Sequence, residues 1–201
     1  MKSPTPKTQP RGKKAPFSAS EIEVITYALK KEGKVRDLAL FRLALSTMLR
    51  SSDLVSLRVE DVLERDGSVA ERMAFTQQKT GKPVRVNISK PAREALQALI
   101  TEEHKAPADF LFTGKSGPWS SHISTRTFRD LVKAWATLAK LDASKYAGHS
   151  TRRTGSSHVY KRTGNLEAVR QLLGQSSIAS TQAYLGIDEE EALRIGEKFG
   201  L

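Results

Sequence analysis

The stretch YAGHSTRRTGSSHVY, residues 146–160, gathers two arginines, two histidines and two tyrosines in a segment with little apolar content. It runs into KRTGNLEAVRQLLGQ, where the apolar residues have helical spacing, so we predict a helix. On a helix, His149 and Arg152 share one face because they lie three residues apart. The pair offers a titratable ring nitrogen beside a planar fork of donors that matches phosphate oxygens. By itself an H-x-x-R pair is a weak signal, and a solvated basic face is the alternative.

A second arginine stands at the end of an apolar segment. The segment VRDLALFRLALSTML is apolar on most sides, as expected of a central helix, and Arg50 follows it directly. A guanidinium at such a position is unfavourable unless its charge meets an anion. Asp53 lies three residues further on and is a candidate to orient Arg50. These residues alone do not decide whether Arg50 binds an anion or forms a structural ion pair with Asp53.

The overall composition favours a polyanionic partner. The net charge is +11 and the pI about 9.9, and clustered lysines and arginines bind phosphates with release of counterions. Cysteine is absent, so we expect no disulfide and no thiolate metal site, and His104, His122 and His158 have no partner at the spacing of a zinc motif. No apolar run approaches the roughly 20 residues that span a bilayer. We therefore expect a cytoplasmic protein without a membrane partner.

The helical elements follow from periodicity and capping signals. Residues 1–17 are basic and proline-rich and are predicted to be a disordered arm. The first helix is predicted to begin near Ser20, which forms a capping-box pattern with Glu23. After the apolar helix, Ser51 or Ser52 is predicted to cap a short helix.

A small sheet is predicted in the middle of the chain. ERMAFTQQ and PVRVNIS favour strands, and KTGK between them, with Gly81 free to adopt a positive φ, indicates a β-hairpin. A third strand is possible near Val62 or Val69. Helices resume at KPAREALQALITEE and continue to the C-terminus. The predicted fold class is α+β, mainly helical, with a small antiparallel three-stranded sheet.

Four separated motifs, in this order, resemble the tyrosine recombinases, also called the phage integrase family. MLRSSDLVSLRVEDV resembles the stretch that carries the family's first arginine, and KTGK resembles its lysine hairpin. HSTRR corresponds to the family's H-x-x-R motif, and LLGQSSIASTQAY to the region of its tyrosine. The resemblance extends from about Ser18 to Phe199. The catalytic residues that it implies are Arg50, Lys79, His149, Arg152, Gln175 and Tyr184, with Asp53 behind them.

The resemblance implies a reaction without metal or cofactor. Tyr184 would attack a DNA phosphodiester and form a 3′-phosphotyrosyl intermediate, while Arg50 and Arg152 stabilise the charge on the phosphate. Lys79 would protonate the 5′ leaving oxygen, and His149 would hydrogen-bond the phosphate or assist the proton of the tyrosine. Tyr146 and Tyr160 are rival tyrosines nearby. Only the register of the motifs favours Tyr184 over them.

Two positions depart from the family pattern. Gln175 occupies a place where the family usually has histidine or tryptophan, and Thr151 replaces a leucine of the H-x-L-R-H pattern. Glutamine still donates a hydrogen bond but carries neither proton nor charge. We therefore expect an effect on the rate of the reaction rather than on its type. Residues 18–201 are predicted to form the catalytic domain, with no separate N-terminal core-binding domain.

The implied partners are double-stranded DNA with inverted-repeat half-sites and further copies of the chain, in a tetramer on DNA. We expect Lys82, Arg153, Lys161 and Arg162 to contact backbone phosphates. The apolar residues of the C-terminal tail, Ala192, Leu193, Ile195 and Phe199, could pack on their own core or on a neighbouring protomer. The alternative functions are a catalytically silent DNA-binding regulator on the same fold and a relaxing activity of the topoisomerase kind.

Overall fold

Helices are the main elements of the described structure, in agreement with the predicted class. The computed structural model describes residues 14–114 and 121–185, together with Glu197. The elements in chain order are α1 (Ala19–Lys31), α2 (Val35–Thr47), α3 (Ser51–Val55), β1 (Arg72–Thr76), β2 (Pro83–Asn87), α4 (Lys90–Glu102), α5 (Thr125–Leu138), a 3₁₀ turn (Ala143–Lys145), α6 (Gly148–Thr163), α7 (Leu166–Leu173) and α8 (Ile178–Leu185). No helix in these described ranges is long and apolar enough to cross a membrane.

The predicted hairpin is confirmed, but the prediction of a third strand is wrong. Strands β1 and β2 pair antiparallel, with Met73 opposite Val86, and they form a two-stranded sheet. The segment around Val62 and Val69 contributes a single bridge, between Leu63 and Val69. A tight turn separates those two residues, closed by the Glu64 amide donating to the Ser68 carbonyl at 2.8 Å. The segment therefore folds back on itself and leaves too few residues to pair with the hairpin.

The N-terminal ends of two helices differ from the predictions. Helix α1 is capped by Ser18 rather than Ser20, and its capping box uses Glu21 rather than Glu23. The sequence SASEIE holds two overlapping box patterns, and burial of the preceding side chain, Phe17, decides between them. Helix α3 has Arg50 at its N-cap position, without a side-chain capping bond, so neither Ser51 nor Ser52 is the cap.

The last residues of the predicted arm lie on the folded body. The Ala15 amide donates to the Lys145 carbonyl at 2.9 Å, and the Phe17 amide donates to Thr154 Oγ1 at 2.8 Å. The Phe17 ring stacks on Tyr146 with centroids 4.6 Å apart. Order therefore begins before residue 18, because an aromatic side chain in the arm sequence finds a partner that only tertiary structure supplies. Residues 1–13 lie outside the described part of the chain.

Helix α2 is the centre of the core, as its apolar character predicts. Its side chains Leu40, Phe41 and Leu43 are fully buried. The Phe41 ring packs edge-on against Trp135 of α5, with centroids 5.1 Å apart. Helix α2 also packs against α4 and α6. It thus supports α6, the helix that carries the H-x-x-R pair.

The contact between α2 and α6 is close enough to require a glycine. A Cβ atom at Gly155 would lie 2.5 Å from the Leu45 carbonyl oxygen and 2.5 Å from Met48 Cγ. Both distances are shorter than van der Waals contact. The absence of a side chain at this position therefore sets the separation of the two helices.

We predict that Gly155→Ala destabilises the protein by about 1–3 kcal/mol, because the added methyl group overpacks the helix contact. In an unobstructed helix the same change would stabilise by up to about 1 kcal/mol. Urea unfolding measures the difference. Ser157→Ala on the same helix is the matched control, since Ser157 forms no side-chain hydrogen bond within the described residues. Equal stability of G155A and wild type would contradict the close contact.

Candidate active site

Arg152 lies at the centre of the site and is almost completely buried. Its side chain is 4% exposed. Nη1 donates to the Met48 carbonyl, and Nη2 donates to the Leu173 carbonyl at 2.6 Å. Both acceptors lie at the C-terminal ends of helices, α2 and α7, where unpaired carbonyls carry partial negative charge. Burial lowers the pKa of Arg152 to about 10, which still leaves the guanidinium charged at neutral pH.

The backbone at Met48 is adapted to this contact. Met48 has φ 53° and ends α2 in the left-handed conformation, which non-glycine residues adopt uncommonly. Its amide still donates to the Ala44 carbonyl at 3.3 Å, while its own carbonyl accepts from Arg152. The end of α2 is thus turned so that one of its last carbonyls reaches the arginine of α6.

Arg50 adds a second positive charge beside the first. It stands between α2 and α3 and is half-buried, and its Nη1 is buried without a hydrogen-bond partner in the described structure. Asp53, which the sequence suggested as its partner, is fully buried. Asp53 Oδ1 accepts from the Gln78 amide of the hairpin at 3.1 Å. Among the described residues, no ion pair joins Arg50 to Asp53, so Asp53 holds the hairpin while the charge of Arg50 stays uncompensated.

Tyr184 faces two arginines. The Cζ atoms of Arg152 and Arg153 lie 6.0 Å and 5.8 Å from the centroid of its ring. Its hydroxyl is buried and lies within hydrogen-bonding reach of the Arg152 guanidinium, although no well-aligned hydrogen bond joins them in the described structure. Burial raises the pKa of Tyr184, and the charges of Arg152, Arg153 and Arg50 act in the opposite direction. In the free protein the phenol is therefore protonated, in a position where positive charge favours its anion.

The two rival tyrosines have other environments. Tyr146 is 6% exposed and stacks on Phe17, so it belongs to the main core. Tyr160 packs at the edge of a small apolar cluster formed by Met48, Val169 and Leu173, as Tyr184 also does. Neither rival ring lies under an arginine in the described structure. The two arginines, rather than the apolar packing, therefore distinguish Tyr184 from both.

His149 lies on the first turn of α6 at the rim of the site. Its pKa is lowered from 6.5, first by desolvation and then by the charges of Arg152, Arg50, Lys79 and Arg153. At pH 7 the imidazole is consequently neutral in the free protein. It retains a lone pair that can accept a proton or a hydrogen bond.

Lys79 and Gln175 occupy the borders of the site. Lys79 is exposed at the tip of the hairpin, close enough for its charge to act on His149. Gln175 is half-buried after α7, and its Oε1 accepts from Thr181 Oγ1 at 2.6 Å. Since Thr181 lies one turn before Tyr184 on α8, Gln175 links the end of α7 to the helix that carries the tyrosine.

The predicted phosphate contacts are not all in one place. Arg153 lies inside the site and donates to the Leu185 carbonyl at 3.4 Å, and Lys82 is exposed on the hairpin. Lys161 and Arg162 are exposed in the last turn of α6. A rise of 1.5 Å per residue puts Arg162 about 15 Å along the helix from Arg152. These last two cations therefore lie at the periphery.

An open cleft leads away from the site and contains basic residues that the motifs did not indicate. It has a volume of about 690 Å³, and its lining residues include Lys14, Arg129, Lys133, His149, Arg153 and Tyr184. Arg129 and Lys133 are exposed, one turn apart on α5. Their i, i+4 spacing in TRTFRDLVKAW indicates that both cations lie on one face of a helix. Only the fold reveals that this face of α5 adjoins Tyr184.

Two other observations delimit the site. A larger cleft of about 890 Å³ is lined by both acidic and basic residues, among them Arg36, Asp37 and Glu102, and it does not include any of the predicted catalytic residues. Within residues 14–114 and 121–185 no group of three histidine, aspartate or glutamate side chains is arranged to hold a metal ion. The apolar tail set Ala192, Leu193, Ile195 and Phe199 lies outside the described residues.

Comparison with known proteins identifies the family to which this fold belongs. The sequence model of the phage integrase family matches residues 17–191. The chain belongs to this family, and its described part has the fold of a tyrosine recombinase catalytic domain.

Individual relatives agree with that assignment. The chain is 32% identical over 159 residues to tyrosine recombinase XerD of Brucella suis biovar 1 (strain 1330), covering 76% of this chain and 48% of the relative. It is 26% identical over 181 residues to tyrosine recombinase XerD of Vibrio cholerae serotype O1, covering 87% and 57%. The chain thus spans about half the length of the curated relatives that it matches.

Solved structures share the fold. The crystal structure of XerA recombinase superimposes with a TM-score of 0.73 at 19% identity, covering 98% of this chain and 66% of that one. The catalytic domain of bacteriophage HP1 integrase gives a TM-score of 0.57 at 19% identity, covering 92% and 94%. XerH bound to its palindromic difH substrate, in a post-cleavage complex, gives 0.72 at 18% identity, covering 94% and 54%.

The environment of His149 leads to a titration prediction. In the free protein the NMR inflection of His149 should lie below pH 6.5, because desolvation and neighbouring cations disfavour the imidazolium. Lys79→Met should move the inflection upward, since it removes one of those cations. A bound DNA phosphate should also move it upward, because an anion stabilises the charged ring. An inflection above 6.5 in the free wild type would contradict the described site.

Proposed function

We propose that the protein is a site-specific DNA recombinase that cuts and rejoins DNA strands through a 3′-phosphotyrosyl intermediate. The observation that carries the proposal is the position of Tyr184, whose ring faces Arg152 and Arg153 and whose buried hydroxyl has the Arg152 guanidinium as a neighbour. The hydroxyl donates no hydrogen bond within the described residues. Its oxygen therefore stays available to a phosphorus atom, beside an arginine that would bind the same phosphate.

The cationic residues suit a phosphoryl transfer that proceeds without a metal. As the Tyr184 oxygen bonds to phosphorus, negative charge accumulates on the non-bridging oxygens of the phosphate. Arg50 and Arg152 stabilise that charge, and because Arg152 is fixed by two carbonyls, little reorganisation is required during the reaction. His149, neutral before DNA binds, accepts the phenol proton or hydrogen-bonds the phosphate.

The leaving group needs a proton of its own. When the bond between phosphorus and the 5′ oxygen breaks, the Lys79 ammonium transfers a proton to that oxygen, and a 5′ hydroxyl departs. The reverse sequence, with a 5′ hydroxyl from a second strand, restores the phosphodiester and frees Tyr184. The phosphotyrosyl bond conserves the energy of the phosphodiester, so strand joining requires no ATP.

The proposed partner is duplex DNA with inverted-repeat half-sites, bound by a tetramer of the chain. The net charge of +11 and the basic cleft beside Tyr184 support a phosphate-rich ligand. Two proteins of the same fold support it further: XerH, bound to a palindromic difH substrate, and the Tn1549 transposon integrase, in complex with circular intermediate DNA.

Tyr184→Phe should abolish the covalent protein–DNA adduct and leave DNA affinity within about twofold, because only the nucleophilic oxygen is removed. A nicked suicide substrate, scored by denaturing gel, measures the adduct. Tyr160→Phe is the matched control and should form the adduct as wild type does. An adduct formed by Y184F would show that another residue is the nucleophile. If the wild-type protein forms no adduct, the result favours the catalytically silent DNA-binding regulator.

The basic cleft can be tested separately from the chemistry. The double variant Arg129→Ala/Lys133→Ala should weaken binding to specific and random DNA alike and reduce the slope of log K against log salt by about two, as expected for two lost phosphate contacts. Lys30→Ala/Lys31→Ala, at the end of α1, is the charge-matched control. An unchanged salt slope in the α5 variant would exclude DNA from this cleft.

A further inference from the structure

Gln77, which no motif singles out, is a buried polar residue at the base of the Lys79 hairpin. Its side chain is 2% exposed, although glutamine is normally found at protein surfaces. Oε1 accepts from Thr80 Oγ1 at 2.8 Å, and Nε2 donates to the Leu173 carbonyl at 3.4 Å. One amide thus connects the turn that bears Lys79 to the C-terminal end of α7.

The carbonyl that Gln77 contacts is the one that also holds Arg152. Leu173 accepts from Arg152 Nη2 at 2.6 Å, and a carbonyl oxygen has two lone pairs to serve both donors. A single main-chain oxygen therefore joins the hairpin to the arginine of α6. The proposed general acid and the principal phosphate-binding arginine are connected through this atom.

The adjoining backbone is shaped to permit the contact. Gly174 ends α7 with φ 59°, and a Cβ atom there would lie 2.6 Å from Gln77 Nε2 and 2.9 Å from Val84 Cγ1. Any side chain at position 174 would therefore push the amide away from the Leu173 carbonyl. The left-handed glycine both ends the helix and admits Gln77.

The other side of the hairpin is held by the next residue. The Gln78 amide donates to Asp53 Oδ1 at 3.1 Å, and Gln78 Nε2 donates to Ser56 Oγ at 2.7 Å. The two residues before Lys79 thus attach the turn to α7 on one side and to α3 on the other. Lys79 itself is exposed, so the residues before it determine where its ammonium lies.

We propose that Gln77 is a positioning residue, which through the shared Leu173 carbonyl places Lys79 within reach of the 5′ leaving oxygen of the phosphate that Arg152 binds. This inference rests on the proposed function, in which Lys79 donates the proton. A purely structural role for Gln77 would affect stability or every step of cleavage alike. If Gln77 positions the general acid, its replacement slows cleavage only when the leaving group needs a proton.

The leaving group provides the test. A substrate with a bridging 5′ sulfur in place of oxygen releases a thiolate, whose lower basicity removes the need for a general acid. Single-turnover cleavage of nicked oxygen and sulfur substrates is compared for wild type, Gln77→Met, Lys79→Met and Gln171→Met. Gln171 is the matched control, because it is an exposed glutamine of α7 whose side chain contacts Glu167 of the same helix rather than the hairpin.

We expect Gln77→Met to slow the oxygen substrate by about tenfold or more, a part of the 10²–10⁴ that general acid catalysis contributes, and to slow the sulfur substrate by less than about threefold. Lys79→Met should show the same selectivity more strongly, and Gln171→Met should resemble wild type. Thr80→Val removes the donor to Gln77 Oε1 together with a long contact from the Lys82 amide. It should give a weaker effect of the same kind, and it replaces Gln77→Met in the test if that variant does not fold.

Each failure has its own meaning. Equal slowing of both substrates by the Gln77 and Thr80 variants, or no slowing, overturns the positioning role while the proposed function stands. Lack of selectivity in Lys79→Met overturns the assignment of Lys79 and with it this inference. No adduct from wild type on either substrate overturns the proposed function itself.

Discussion

The burial of one positive charge governs the arrangement of this site. Removing a guanidinium from water is unfavourable by several kcal/mol unless other groups replace its hydration. For Arg152 the replacement comes from two helix ends, through the carbonyls of Met48 and Leu173. Three segments distant in sequence must therefore meet within the span of one guanidinium group. The left-handed turn at Met48, the close crossing at Gly155 and the glycine after α7 all satisfy that requirement.

The charge balance of the site follows from the same constraint. Because carbonyls rather than carboxylates hold Arg152, its full charge is retained rather than neutralised, and Arg50 is likewise free of an ion pair within the described residues. Asp53, the buried carboxylate nearby, is directed to the hairpin amide of Gln78. Desolvation and, after it, the net positive potential lower the pKa of His149, and the same potential opposes the rise in the pKa of Tyr184 that burial causes. A phosphate diester would complement this potential, whereas a neutral ligand would not.

Much of the architecture could be predicted from local patterns. The hairpin, the central helix α2 and helix α4 could be predicted because their periodicity and turn residues agree with their tertiary environment. The two S-x-x-E patterns at residues 18–23 could not be resolved locally, because burial of Phe17 against Tyr146 decides between them. The prediction of a third strand was wrong because the turn at Glu64–Ser68 contains the residues that would have paired with the hairpin.

The site could be predicted in its parts but not in its connections. Residue types and motif order indicated Arg50, His149, Arg152 and Tyr184, yet no pattern showed that Asp53 would serve the hairpin rather than Arg50. The role of Gln77 was also hidden, because a glutamine in a hairpin sequence is ordinarily a solvated residue. The proposed role of Gln77 depends on the Leu173 carbonyl, almost a hundred residues away in sequence. A contact between residues so far apart produces no periodic pattern in the sequence.

The use of main-chain acceptors has a consequence for how the sequence can diverge. A side-chain carboxylate opposite Arg152 would be lost by a single codon change, but the carbonyls at positions 48 and 173 are present whatever residue is encoded there. The side chains at these two positions are constrained instead by helix ending and packing, since Met48 has a left-handed backbone and Leu173 is buried. The electrostatic environment of the arginine is thus a property of the path of the backbone, and any pair of side chains that keeps that path keeps the two acceptors.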